Sequence, residues 1–276
     1  MSFHEMFRDL PPGAGAQAAG FTLGYGGAPA RAVFARHGAV RLRCASLLKP
    51  LYAWAAHPSF TAGSFSGDTR DTGGGGPDRW RSAAEPAVRV SDNATTLDLW
   101  FSAGPRAVLD LLGRRTGVTW VPSPTDPYWF GGVEVTAEEV AAAYGALALA
   151  EIGGDPVAGT LLTWMRETEQ NFGLPGPVAA ALGCAPDEVA VKCGWANFPD
   201  ELVLRTHAVA VARSGPRAVL AAALTALPYA HGRETYLERV AAGTPVLDDH
   251  ETEAGPLLRA LITTTLTELG FPPVSA

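Results

Sequence analysis

The stretch Arg43-Cys44-Ala45-Ser46-Leu47-Leu48-Lys49-Pro50-Leu51-Tyr52-Ala53-Trp54 decides how the rest of this chain is read. Ser46 and Lys49 are three residues apart, so on a helix they project from one face, a turn apart. A serine hydroxyl is a poor nucleophile at neutral pH unless a neighbouring base takes its proton, and a lysine desolvated among apolar groups can be that base. Leu47, Leu48, Leu51 and Trp54 supply the apolar surroundings. A helix from about Ser46 to His57 tolerates Pro50, because N–H groups of the first turn have no intrahelical partner. Ser46 then lies at a helix N-terminus, where developing negative charge is stabilised.

Lysine usage sharpens this reading. Lys49 and Lys192 are the only lysines; every other cationic side chain except histidine is arginine. Lysine can be deprotonated in a protein and arginine effectively cannot, so these two positions are the first candidates for chemistry.

The chain has 276 residues, 47% hydrophobic and 18% charged, enough for a sizeable core in one domain or two interleaved lobes. A formal net charge of -7 and the absence of a basic run exclude nucleic acid as the expected partner. Met1-Ser2-Phe3-His4-Glu5-Met6-Phe7-Arg8-Asp9-Leu10 lacks the cationic start and apolar run of a secretory signal, so a cytoplasmic location is expected. No apolar stretch reaches membrane-spanning length, and no membrane partner is expected. Cys44, Cys184 and Cys193 are an odd number without metal-type spacing, which fits a reducing compartment and no metal.

Along the chain, Phe3, Met6, Phe7 and Leu10 predict a short amphipathic helix ended by Pro11-Pro12-Gly13. Gly20–Tyr25 and Ala30–Ala35 predict a hairpin turned at Gly26-Gly27. Pro58 to Pro86, with Gly73-Gly74-Gly75-Gly76 at its middle, reads as one long loop. Helices are expected over Gly104–Gly113, from the capping box Thr136-Ala137-Glu138-Glu139 to about Ala150, and over Asp155–Glu169. Strands are expected at Glu188–Lys192, stopping at Cys193-Gly194, then at Leu202–Arg213 and Arg217–Leu227. An irregular segment with His231 and His250 leads to a closing helix, Thr252–Leu269. The simplest architecture is an α/β (α+β) fold: a five-stranded antiparallel sheet from both chain ends, with an inserted all-α lobe. Residues 1–45 and 185–276 would form the discontinuous sheet lobe and 46–184 the helical lobe.

Ser46-x-x-Lys49, Ser91-Asp92-Asn93 and Lys192-Cys193-Gly194 follow in that order. This resembles the penicillin-recognising serine enzymes: class A beta-lactamases, penicillin-binding proteins and related esterases and amidases. The resemblance covers most of the chain and implies the beta-lactamase/transpeptidase-like fold with a site in the cleft between lobes. It implies Ser46 as the acyl-forming nucleophile, Lys49 as its base, Ser91 as the proton relay to the leaving group and Lys192 as the cation supporting Ser91. Asn93, Cys193, Gly194 and Trp195 are the implied substrate-binding positions, with the N–H groups of Ser46 and Trp195 as the oxyanion hole. Asp92 would be structural. No cofactor is implied.

Two departures stand out. The third motif has Cys193 where the family has Thr or Ser, whose hydroxyl helps bind a substrate carboxylate. The stretch Thr119–Val133, matching the family's deacylation loop, contains Asp126 and no Glu; Glu167-Thr168-Glu169-Gln170-Asn171 spells the loop's pattern too far downstream and reads as a decoy. The expected function is therefore a serine hydrolase or transacylase acting on an amide or ester of a small metabolite. The alternatives are a true beta-lactamase or D-alanyl-D-alanine peptidase-type enzyme with a displaced base, and a non-catalytic ligand-binding relative.

Overall fold

The computed structural model describes residues 2–24, 31–61, 76–198, 202–214, 217–242 and 247–271. In chain order the elements are α1 (Phe3–Arg8), β1 (Gly15–Gly24), β2 (Arg31–His37), β3 (Leu42–Arg43), α2 (Lys49–Ala55) and α3 (Pro58–Thr61). Then come α4 (Pro77–Arg89), α5 (Asn93–Ser102), α6 (Pro105–Thr116), β4 (Glu134–Val135), α7 (Ala137–Ile152), α8 (Pro156–Arg166) and α9 (Pro175–Leu182). The chain closes with β5 (Ala190–Phe198), β6 (Val203–Ser214), β7 (Arg217–Pro228), α10 (Gly232–Ala241), a turn α11 (Leu247–Asp249), a π-helical segment (His250–Ala254) and α12 (Gly255–Glu268).

The main sheet is five-stranded and antiparallel, in the order β2-β1-β7-β6-β5, so strands from both ends of the chain pair at its centre. Alternation along each strand sorts its side chains between two cores. On β6, Val209 and Val211 join the core under α7 and the helical layer, whereas Ala208 and Ala210 join the core under α12. The central strands are rich in alanine, and at Gly20 the sheet meets α12 without a side chain between them: a β-carbon there would lie 2.3 Å from Thr265 Cγ2 and 3.0 Å from the Leu220 carbonyl.

All seven residues of α2 are buried, with α4, α5, α6 and α8 around it. This helix starts at Lys49, with Pro50 in its first turn, and Ser46 lies in the preceding turn rather than in the helix. Capping boxes open α1 (Ser2 with Glu5) and, as its spacing predicts, α7 (Thr136 with Glu139). Among the described residues no helix is long and apolar enough to cross a membrane.

Three local expectations are corrected. Pro77–Pro86, read as loop, belongs to α4: Pro77 occupies the first helical turn, and Trp80, Ala84, Ala87 and Val88 form a buried face. The strand expected to stop at Cys193-Gly194 continues to Phe198. Gly232–Ala241, expected to be irregular, is helical, its Tyr236 ring buried against Tyr229. The expected turn at Gly26-Gly27 and the Gly73–Gly76 run lie outside the described residues, apart from Gly76, which caps α4.

Gly20→Ala is expected to lower unfolding stability by about 1–3 kcal/mol, since the added methyl overpacks the α12 contact. A shifted urea midpoint with an unchanged m-value checks this.

Candidate active site

The turn that carries Ser46 is tied down on both sides. Cys44 N–H donates to the Val133 carbonyl at 2.8 Å and Ala45 N–H to the Gly131 carbonyl at 3.0 Å. Ala45 takes a positive φ of 51°, unfavourable for a β-carbon-bearing residue, and these bonds hold it there. The Tyr144 hydroxyl donates to the Leu47 carbonyl at 2.6 Å. His207, fully buried, donates from Nε2 to the Arg43 carbonyl at 2.8 Å while Nδ1 accepts from Thr225 N–H. Burial pushes its pKa down to about 3, so it is a neutral structural histidine.

Strand β5 approaches this turn edge-on, and Gly194 permits the approach. A β-carbon at Gly194 would lie 2.5 Å from Leu47 N, 3.0 Å from Ser46 N and 3.1 Å from the Cys44 carbonyl. Lys192 and Gly194 share the cleft face of β5; Cys193 points the other way, fully buried in the α12 core beside Val191 and Ala208. The expectation that Cys193 contributes to substrate binding is therefore not met by its thiol, whose pKa burial raises to about 12.

Two lysines converge on Ser91. Lys49, with no exposed surface, donates from Nζ to the Ser91 carbonyl, to the Asp92 carbonyl at 3.3 Å and to Asn93 Oδ1 at 2.8 Å. Lys192, also buried, donates to Ser91 Oγ at 2.9 Å and to the Val88 carbonyl at 3.4 Å. Desolvation, and secondarily the Lys192 charge, pull the Lys49 pKa down to about 7; desolvation alone brings Lys192 to about 8. Ser91 takes a φ of 59°, and Asp92 caps α5 through Thr95 N–H at 2.8 Å, as its structural reading expects.

Ser46, Ser91, Asn93, Trp195, Ala45, Ala196, Trp129 and Phe130 line a cleft of about 220 Å³. The structure thus brings together Ser46, Lys49, Ser91, Asn93, Lys192, Gly194 and Trp195, and leaves out the side chain of Cys193. Among the described residues the Ser46 hydroxyl takes no hydrogen-bond partner, so it is open to the cleft while Lys49 is held by the three acceptors. The Phe130 ring lies 5.2 Å from Lys49 Nζ. Of the other aromatics in its loop, Trp120 is buried in the core and Tyr128 is exposed.

Among the described residues, no carboxylate lines this cleft. Asp126 is exposed and accepts from Tyr128 N–H at 3.2 Å. Glu167 pairs with Arg89 at 3.3 Å, and Glu169 N–H donates to the Arg89 carbonyl, away from the lining residues, consistent with reading that pattern as a decoy. Among the described residues His231, Asp249 and Glu253 form the one grouping of metal-type donors, and there Asp249 is already paired with Arg239 at 2.6 Å.

Gly194→Ala is expected to reduce fluorophosphonate labelling of Ser46 by roughly 100-fold, because it displaces the strand that brings Trp195 N–H to the site. Far-ultraviolet circular dichroism would verify retained folding.

No protein-family model matches the chain, and no curated sequence matches it. Solved structures do. A variant of the last common ancestor of Gram-negative bacteria class A beta-lactamase superposes with a TM-score of 0.59 at 18% identity, covering 94% of each chain. PBP-A, in an acyl-enzyme complex with penicillin G, gives 0.59 at 16% identity over 98% of this chain and 95% of its own. A beta-lactamase from Burkholderia vietnamiensis gives 0.54 at 20% identity over 91% and 96%. Over most of the chain the fold is accordingly the beta-lactamase-like fold.

Proposed function

We propose that the chain is a serine hydrolase or transacylase that works through an acyl-enzyme at Ser46 on an amide or ester of a small metabolite. The observation that carries this reading is the convergence of two desolvated lysines on Ser91, beside a serine whose hydroxyl is open to the cleft. Neutral Lys49 takes the Ser46 proton as Oγ attacks the substrate carbonyl. The oxyanion is met by the N–H groups of Ser46 and Trp195, two preorganised donors beside Gly194. Ser91, in contact with both lysines, passes the proton to the departing nitrogen or oxygen. Lys192 keeps that relay in a positive field, and Asn93 holds the amide or ester side of the substrate.

Among the described residues no carboxylate lines the cleft to serve as a dedicated base for hydrolysis of the acyl-enzyme. The intermediate is then long-lived, or passes its acyl group to an amine or alcohol. A binding-only reading draws on one observation: Lys49 donates to three acceptors and makes no bond to Ser46. Covalent chemistry separates the two readings.

Incubation with an activated ester is expected to add the acyl mass to the protein, persistently, and Ser46→Ala should abolish the adduct. An intact protein that stays unmodified by esters, beta-lactams and fluorophosphonates alike would leave only the binding reading.

The acylation rate should follow a bell in pH. Lys49 must be neutral, so the rate rises through about pH 7; Lys192 must keep its proton, so the rate falls above about pH 8. Lys192→Met removes the cation that depresses the Lys49 pKa, so the acid limb should move to higher pH.

A further inference from the structure

We infer that the group on the substrate's reacting carbonyl is neutral and about the size of a single aromatic ring, an aroyl or a short branched acyl group without a carboxylate. This rests on the acyl-enzyme reading above and specifies its substrate class. Among the described residues, none of the eight that line the cleft carries an ionisable side chain. The two cations of the site stand behind the lining, Lys49 without exposed surface and Lys192 with 1%, and both direct their protons to Ser91 and its neighbours. The side chain of the third motif that could have bound an anion, Cys193, faces the opposite core.

What the cleft offers instead is a fixed apolar wall. The Phe130 ring is 4% exposed, and its carbonyl accepts from the Tyr52 hydroxyl at 2.9 Å. The Trp129 ring lies over Gly131 and Gly132: a β-carbon at Gly131 would come within 2.9 Å of the ring, so glycine there lets the indole lie against the backbone. Beyond β5, Trp195 meets Phe172 edge-on at 6.0 Å, which places aromatic surface on the Cys193 side of the strand as well. An apolar cavity of about 150 Å³ is enough for benzene. A cleft of about 220 Å³ therefore has room for one ring with its carbonyl.

The experiment compares 4-nitrophenyl esters sharing one leaving group: acetate, benzoate, 4-carboxybenzoate and octanoate. The readout is the second-order rate constant of the nitrophenolate burst, which reports acylation whatever the fate of the acyl-enzyme. Fluorophosphonate labelling of Ser46 is measured in parallel on every variant. The benzoate is expected to react at least about tenfold faster than the 4-carboxybenzoate and the octanoate, the discrimination an apolar pocket supplies. Trp129→Ala should cut the benzoate-to-acetate ratio by roughly tenfold, and Trp129→Phe should restore it.

Labelling at Ser46 with no preference for the benzoate, or a ratio untouched by Trp129→Ala, would overturn the inference and leave the acyl-enzyme reading standing. So would a preference for the 4-carboxybenzoate that Arg205→Ala removes, since Arg205 opposes Ala196 on the same face of the sheet. No labelling of the wild-type protein by any reagent would overturn both.

Discussion

Taking two ammonium groups out of water within one hydrogen-bonded cluster is the constraint on which the rest of this molecule depends. Each unit by which a buried lysine's pKa falls corresponds to about 1.4 kcal/mol of preference for the neutral form. For Lys49, brought from 10.5 to about 7, the folded state therefore carries a cost of several kcal/mol at neutral pH. The sign follows from linkage: the unfolded lysine binds its proton below about 10.5. The cost thus grows as pH falls from there toward about 7 and is constant below. A cost of that kind persists only where surrounding structure fixes the groups, and here that structure is extensive. The wholly buried α2 carries Lys49, β5 carries Lys192, and the turn from α4 into α5 supplies the acceptors between them.

That arrangement accounts for backbone features that would otherwise be unexplained. Ala45 and Ser91 both adopt positive φ without being glycine, and both line the cleft, one immediately before Ser46 and the other held by both lysines. Positive φ at such residues costs on the order of 1–3 kcal/mol and needs surroundings that over-determine it. At Ala45 these are the bonds to Gly131 and Val133; at Ser91 they are the bonds from both lysines. The lysines are thus structural: their Nζ–H groups satisfy carbonyls that a tight turn turns inward.

Much of this was legible in the sequence, and the misses have physical reasons. Keeping lysine at two positions only, with arginine elsewhere, marked Lys49 and Lys192, and both lie at the cleft. Thr136 opens α7 as its capping box predicts. The residues of α4 were missed because a glycine run followed by Pro77, with Pro86 further on, reads as loop. The signal that could have found the helix was the spacing of Trp80, Ala84, Ala87 and Val88. Gly194 was read as the end of a strand, when its missing side chain instead lets the strand pass close to Ser46 and Leu47. The placement of Cys193 was readable from strand parity alone, since a residue between Lys192 and Gly194 must face the other way. The three-acceptor cradle around Lys49 was not readable, because it depends on backbone carbonyls whose direction is set by the positive φ of Ser91.

On the proposed mechanism, the burial that tunes the Lys49 base also shapes what the cleft can recognise. A lysine pulled to about pH 7 has to be shielded from solvent, and shielding removes its charge from the surface that a substrate meets. On the proposed acyl-enzyme mechanism, charge recognition and base tuning compete for the same two side chains, both of which are buried. Selectivity then falls to shape and apolar contact, which discriminate by only about 1–3 kcal/mol per group. Such contacts discriminate best when the walls cannot move. Phe130 is fixed because its carbonyl is hydrogen-bonded to Tyr52, a buried residue of the α2 helix that also carries Lys49. The wall that would select the substrate and the helix that holds its base are one packed unit, so changes that loosen either should be felt by both.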